Sequence, residues 1–249
     1  MSILFNNVTI KQNWELLSPW KQDAYQYFQS MIGEKNDYPC VPARQGLKNN
    51  MLRFGFLDNV DDTKVLASSL KEYGDTSKAI GQYTSLIIFI PMDDDTQATV
   101  EDYQVLFWDL LSDVTNYDTS DWPATIPDNP EHHEWEFCFD GEPYFAFCAT
   151  PVHQLRKSRY FPYMMLAFQP RFVFDELNAS TSYGRKMKKV IRQRLQAFDS
   201  IPAHPDLKWY GNSDNHEWKQ YFIGDDDQTL SKCPFTRFKQ RISNLTKMK

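Results

Sequence analysis

The chain has 249 residues, 41% of them hydrophobic and 24% charged, which is ordinary globular material with enough length for a full core. Its net charge of −6 argues against nucleic acid as the main partner, because phosphate binding wants a basic face. No apolar run approaches a membrane span, the longest being Leu86 to Ile90, and the opening MSILFNNVTI lacks the basic, apolar and cleavage regions of a secretion signal, so a cytoplasmic protein with no membrane partner is expected.

The first element is a helix over about 19–32, begun by Ser18-Pro19 and carrying Trp20, Ala24, Phe28 and Met31 at helical spacing. Met51 to Leu57 reads as a strand. Asp62 is placed to cap a second helix bearing Val65, Leu66, Leu70 and Tyr73, with Gly74 as its stop. Thr84 to Ile90 is a buried strand by composition, followed by a solvated turn at Asp93-Asp94-Asp95. Val100 to Val114 carries the apolar stripe of a third helix.

A Pro- and Asp-rich connection (118–134) leads into the clearest local pattern. Two strands, Glu134 to Phe139 and Tyr144 to Ala149, flank the hairpin turn Asp140-Gly141-Glu142-Pro143. Phe137, Phe139, Phe145 and Phe147 recur two apart and predict an aromatic wall. Tyr163 to Phe168 is a further strand. Tyr183 to Asp199 is an amphipathic helix whose polar faces carry six Lys and Arg residues, and the tail beyond it is loop-rich. Helices and strands do not alternate as βαβ units, and no repeat or linker divides the chain. The expectation is one α+β domain over 1–249, with a central antiparallel or mixed sheet and helices packed on it.

Four cysteines, Cys40, Cys138, Cys148 and Cys233, form no CxxC pair and suggest no disulfide framework. No GxGxxG, P-loop, GxSxG or kinase signature is present. Three segments hold candidate chemistry. His153, flanked by Arg156 and Arg159, directly follows a strand; it reads either as an iron-ligating imidazole beside carboxylate-binding guanidiniums, or as a capping histidine in a basic surface loop. Adjacent His132 and His133 on an extended segment would point to opposite sides and make a poor metal pair. Arg171, closing a strand, could reach the same space as Arg156 and Arg159.

Several of these segments together resemble the YqcI/YcgG family. They are Tyr38-Pro39-Cys40, Phe139-Asp140-Gly141-Glu142-Pro143-Tyr144-Phe145, Thr150-Pro151-Val152-His153 with Arg156, Ser158 and Arg159, Phe168-Gln169-Pro170-Arg171, and Cys233-Pro234-Phe235, spanning about 14–235. Two branches of that family look like haem-dependent N-hydroxylases, one acting in guanitoxin biosynthesis and one on the arginine guanidino group on the route to cycloserine. The resemblance implies a haem-dependent oxygenase acting on a small guanidino or amine compound, with an electron donor. Haem b would be held by His153, with Arg156, Arg159 and Arg171 on its propionates and Phe145 and Phe147 against the macrocycle. Glu134, Glu136 or Glu142 would receive the substrate cation. A non-catalytic haem- or small-molecule-binding protein and a domain without cofactor are the alternatives.

Overall fold

The computed structural model describes residues 3–34, 37–92, 97–175 and 177–237, so the expected turn at Asp93-Asp94-Asp95 lies outside the described residues. The helices are α1 (Thr9–Gln12), α2 (Pro19–Gln29), α3 (Val41–Lys48), α4 (Thr63–Ile80), α5 (Val100–Val114) and α6 (Ser182–Asp199). The strands are β1 (Leu52–Phe56), β2 (Ser85–Ile90), β3 (Phe137–Phe139), β4 (Glu142–Ala149) and β5 (Met164–Pro170). They form one sheet in the order β1-β2-β5-β4-β3, parallel between β1 and β2 and antiparallel elsewhere. This is the α+β class with a mixed sheet that the element pattern predicts.

The apolar run of β2 is continuous because both sheet faces are covered. Successive side chains leave a strand on opposite faces. Leu86, Ile88 and Ile90 therefore enter a core with Leu66 and Leu70 of α4 and Phe107 and Leu111 of α5. Ile87 and Phe89 enter a second core with Ala24, Tyr25 and Phe28 of α2. The molecule is thus three layers deep, with the sheet in the middle.

Several local expectations are corrected. The second helix runs through Gly74 to Ile80. Gly74 is a packing residue, since a Cβ there would lie 2.9 Å from the Tyr144 hydroxyl. Asp62 precedes α4 as expected, but its carboxylate accepts the Asp58 and Asn59 amides at 3.1 and 3.2 Å, so it braces the preceding loop. β1, α4 and β2 do make one βαβ unit, because the parallel β1–β2 pair needs a crossover. α2 ends at Gln29 and passes into a wider helical turn over Ser30–Glu34. α5 begins with a reciprocal Thr99–Asp102 capping box.

The predicted hairpin forms, but β3 begins only at Phe137, and Glu142 and Pro143, expected in the turn, are the first residues of β4. Asp140 and Gly141, at φ 50° and 78°, make the two-residue turn, with Phe139 paired to Glu142. The pairing of Phe137 with Tyr144 puts Phe137 and Phe139 on one face and Phe145 and Phe147 on the other. The four rings are therefore not a single wall. A Cβ at Gly141 would meet no atom within 4 Å, so Gly141→Ala isolates the backbone cost of its positive φ. This variant is expected to lose about 1 kcal/mol in urea unfolding. An unchanged midpoint would mean the turn is not built this way.

Candidate functional site

α6 presents its apolar stripe partly to empty space. Met187 and Ile191 roof an inner cavity of ≈ 270 Å³, floored by Phe145 of β4 and Gln169 of β5 and walled by Trp209 and Tyr210 of the tail. Ile191 and Leu195 roof a smaller neighbour of ≈ 110 Å³ over Phe147. Cys40, at the start of α3, lines both cavities, and burial raises its thiol pKa, which favours the neutral form over a thiolate. The inner cavity sits at the small end of the roughly 300–1,000 Å³ typical of small-molecule sites.

One end of the inner cavity is strongly polar. Arg171, in the turn after β5, donates to Glu136 Oε1 at 3.0 Å, and the same nitrogen lies 3.7 Å from Glu217 Oε2. Both glutamates are buried. The Arg171 guanidinium stacks on Tyr210, 3.2 Å from the ring centroid. Two carboxylates and one guanidinium leave an excess negative charge in a dry site, which is costly. The Glu217 pKa is accordingly raised well above the usual range, first by burial and then by the charge of Glu136 and a hydrogen bond with it. Glu217 is therefore favoured as the neutral acid, and the Oε2 atoms of both glutamates are buried without a partner in hydrogen-bond geometry.

The 150–159 segment is built differently from its sequence expectation. His153 is buried, with Nδ1 2.7 Å from Thr150 Oγ1 and Nε2 2.9 Å from the Ile223 carbonyl. A carbonyl only accepts, so Nε2 carries the proton and Nδ1 accepts from the threonine hydroxyl. Both nitrogens are used, and the ring lines neither cavity. His153 is thus placed as an internal brace; ligating iron would break one of these bonds.

Arg156 and Arg159 do line the smaller cavity, but their donors go mainly to the main chain. Arg156 binds the carbonyls of Gly224, Pro202 and Asp226 at 2.8, 3.0 and 3.2 Å and Asp227 Oδ1 at 2.8 Å. Arg159 binds the Tyr221, Gln220 and Cys148 carbonyls at 2.8, 2.8 and 3.3 Å and stacks on Phe147 at 4.2 Å. Burial lowers its pKa to about 10. These groups hold the tail rather than stand ready for a propionate.

Of the three expected cation receptors, Glu136 lies behind the inner cavity. Glu134 is exposed and offers its carbonyl to Tyr210 Oη at 2.9 Å, while Glu142 faces Lys78 at 3.5 Å on the hairpin edge. His132 and His133 do not diverge. They lie in a turn, not a strand, and their rings stack at 4.5 Å. Glu217, Tyr210 and Trp209 went unnoticed in the sequence, since an irregular tail has no periodicity to reveal them. His204 was also missed. It is buried beside the smaller cavity, its Nδ1 accepts the Asp206 amide at 3.2 Å, and its Nε2 has no partner in hydrogen-bond geometry.

Burial lowers the His153 pKa below the ordinary imidazole value and favours the neutral ring. The unfolded chain then binds the proton more readily. Stability is full above the unfolded value, about 6.5, and is lost as pH falls from there toward the folded value. His153→Ala leaves the Ile223 carbonyl and Thr150 hydroxyl unsatisfied and is expected to cost about 2–4 kcal/mol in denaturant unfolding, with a shallower loss below pH of about 6.5. A cost under about 1 kcal/mol would contradict the bracing role.

Comparisons with known proteins agree with the resemblance noted from the motifs. The model of the YqcI/YcgG family matches residues 28–236. The uncharacterized protein YqcI of Bacillus subtilis (strain 168) is 46% identical over 245 residues, 96% of each chain, and the uncharacterized protein YcgG of the same organism is 44% identical over 237 residues, 93% of this chain and 94% of its own. A protein of Streptomyces lavendulae provisionally named N(omega)-hydroxy-L-arginine synthase DcsA is 29% identical over 228 residues, 88% of this chain and 85% of its own. No solved structure matches. With most of its length matched by the family model and by two close relatives, this chain belongs to the YqcI/YcgG family.

Proposed function

We propose that this protein is an enzyme of N-hydroxylation chemistry whose substrate is a small guanidino or amine compound, bound in the inner cavity with its cationic head toward Glu217. The carrying observation is the mismatch of charge at the end of that cavity: two buried carboxyls share one arginine. An entering cation supplies the missing positive charge. Glu217 can then release its proton and pair with the ligand, while Arg171 stays on Glu136. Phe145 and Trp209 flank the apolar part. The name of the Streptomyces relative supports the same choice of nitrogen chemistry.

Haem b, implied by the family resemblance, does not fit the residues as they stand. No histidine lines the inner cavity, His153 has both nitrogens bonded, and the two cavities measure only ≈ 270 and ≈ 110 Å³. Of the arginines meant for the propionates, Arg156 and Arg159 are largely spent on main-chain carbonyls, and Arg171 is paired with Glu136. The chain's own groups would bind and orient the cation, exclude water from it and place a carboxylate beside the nitrogen, while the oxygen atom would come from dioxygen, whose second oxygen leaves as water with two electrons from an external donor. The engagement of His153 also favours a second reading, a non-catalytic protein binding the same cation.

Aerobic incubation with arginine and simpler guanidines, read by mass spectrometry for one added oxygen, separates the two readings. Glu217→Gln imitates the protonated acid but cannot ionise. It is expected to keep the fold's stability within about 1 kcal/mol yet weaken cation binding at least about tenfold in calorimetry. Undiminished binding in that variant would remove Glu217 from the site.

A further inference from the structure

We propose that the outer side of α6 carries a second binding site, a basic groove for the diphosphate of a nucleotide-class small molecule. The groove has a volume of ≈ 640 Å³ and runs between α6 and the loop over 203–214. Arg185, Lys188, Lys189, Arg192 and Lys208 line it, against the single carboxylate of Asp214. That carboxylate is already held by Lys208 Nζ at 3.0 Å. The concentration of cations stands out in a chain whose net charge is −6.

Two features make this more than a solvated helix face. The guanidiniums are anchored: Arg185 donates to the Ala179 and Ser180 carbonyls at 2.7 and 3.1 Å, and Arg192 donates to the Leu207 carbonyl. Unlike Arg156 and Arg159, each is held through a single nitrogen in these bonds, which steadies the side chain and reduces the entropy lost when an anion is clasped. The cations are also crowded without a counter-ion. Lys188 Nζ lies 3.9 Å from the Trp209 ring centroid, and its pKa falls to about 8, first through burial and then through repulsion by Arg192. An anion in the groove relieves that repulsion.

The shape selects the ligand. The groove is open along one side, and its volume lies within the roughly 300–1,000 Å³ of small-molecule sites. It is too large for a bare phosphate. Gln193, Gln196 and Asn212 add neutral donors and acceptors suited to a heterocycle or ribose. Lys188, Lys208 and Trp209 also line the inner cavity, so a bound nucleotide would lie at its mouth.

The test is calorimetric titration of the full chain with ADP, inorganic pyrophosphate and adenosine, and of the variants Lys189→Glu and Lys189→Gln. Lys189 is exposed on α6. ADP is expected to bind saturably and more weakly as salt rises, pyrophosphate more weakly than ADP, and adenosine not measurably. Lys189→Glu should weaken ADP at least about tenfold and Lys189→Gln by less, while arginine binding in the inner cavity is unchanged. Absence of ADP binding, equal affinity for pyrophosphate and ADP, indifference to Lys189→Glu, or binding only to an acidic protein would each overturn the proposal. The ADP, pyrophosphate and adenosine titrations do not depend on whether the inner cavity takes guanidines.

Discussion

The candidate site exists because an irregular tail is nailed to the sheet by buried arginines. Main-chain carbonyls removed from water must find donors, and a loop has no ladder to supply them. Arg159 reaches the Gln220 and Tyr221 carbonyls, and Arg156 reaches those of Pro202, Gly224 and Asp226. His153 adds the Ile223 carbonyl. In the opposite direction, Asp225 accepts the amides of Gln154, Leu155 and Arg156 at 2.7, 3.2 and 2.9 Å, and its carboxyl pKa is lowered even though burial opposes this. This mutual clamp fixes the segment that delivers Glu217 and the wall residues Trp209 and Tyr210 to the cavity.

Two sites beside α6 hold like charges together. Beneath the helix, Glu136 and Glu217 face one arginine, and the site reaches neutrality only because one acid keeps its proton. Outside it, five cationic side chains share a groove with one carboxylate. Such arrangements cost stability in the free protein, whereas surface charges distributed with alternating sign do not. Each is relieved by a ligand of the opposite sign. On the proposed readings, the amphipathic helix separates a site for a cation from a site for an anion, with Lys188 and Trp209 lining both.

Much of the framework was legible. The apolar run of β2, the Asp140-Gly141 turn and the stripe of α5 are local patterns whose physics is complete within a few residues. Errors arose where a residue answers to a distant partner. Gly74 reads as a helix stop, but it is kept small by the Tyr144 hydroxyl from another strand. The even spacing of Phe137, Phe139, Phe145 and Phe147 suggested one wall, but register across the turn puts the two pairs on opposite faces. Arg171 and Phe145 were placed at the inner cavity, Phe147, Arg156 and Arg159 at its neighbour, and Glu136 just behind the first.

By itself the sequence determined the class of fold, the identity of most elements and the family. The fold class and elements follow from periodicity, turn chemistry and composition, all of which act over short spans, and the family from the resemblance of several short motifs. The roles of the ionisable groups were decided only by tertiary structure. The partner of His153 Nε2 is 70 residues away, and the proton on Glu217 is set by burial and by Glu136, brought to it from the start of the hairpin. Protonation and ligation depend on what surrounds an atom in three dimensions, and no spacing along the chain encodes that.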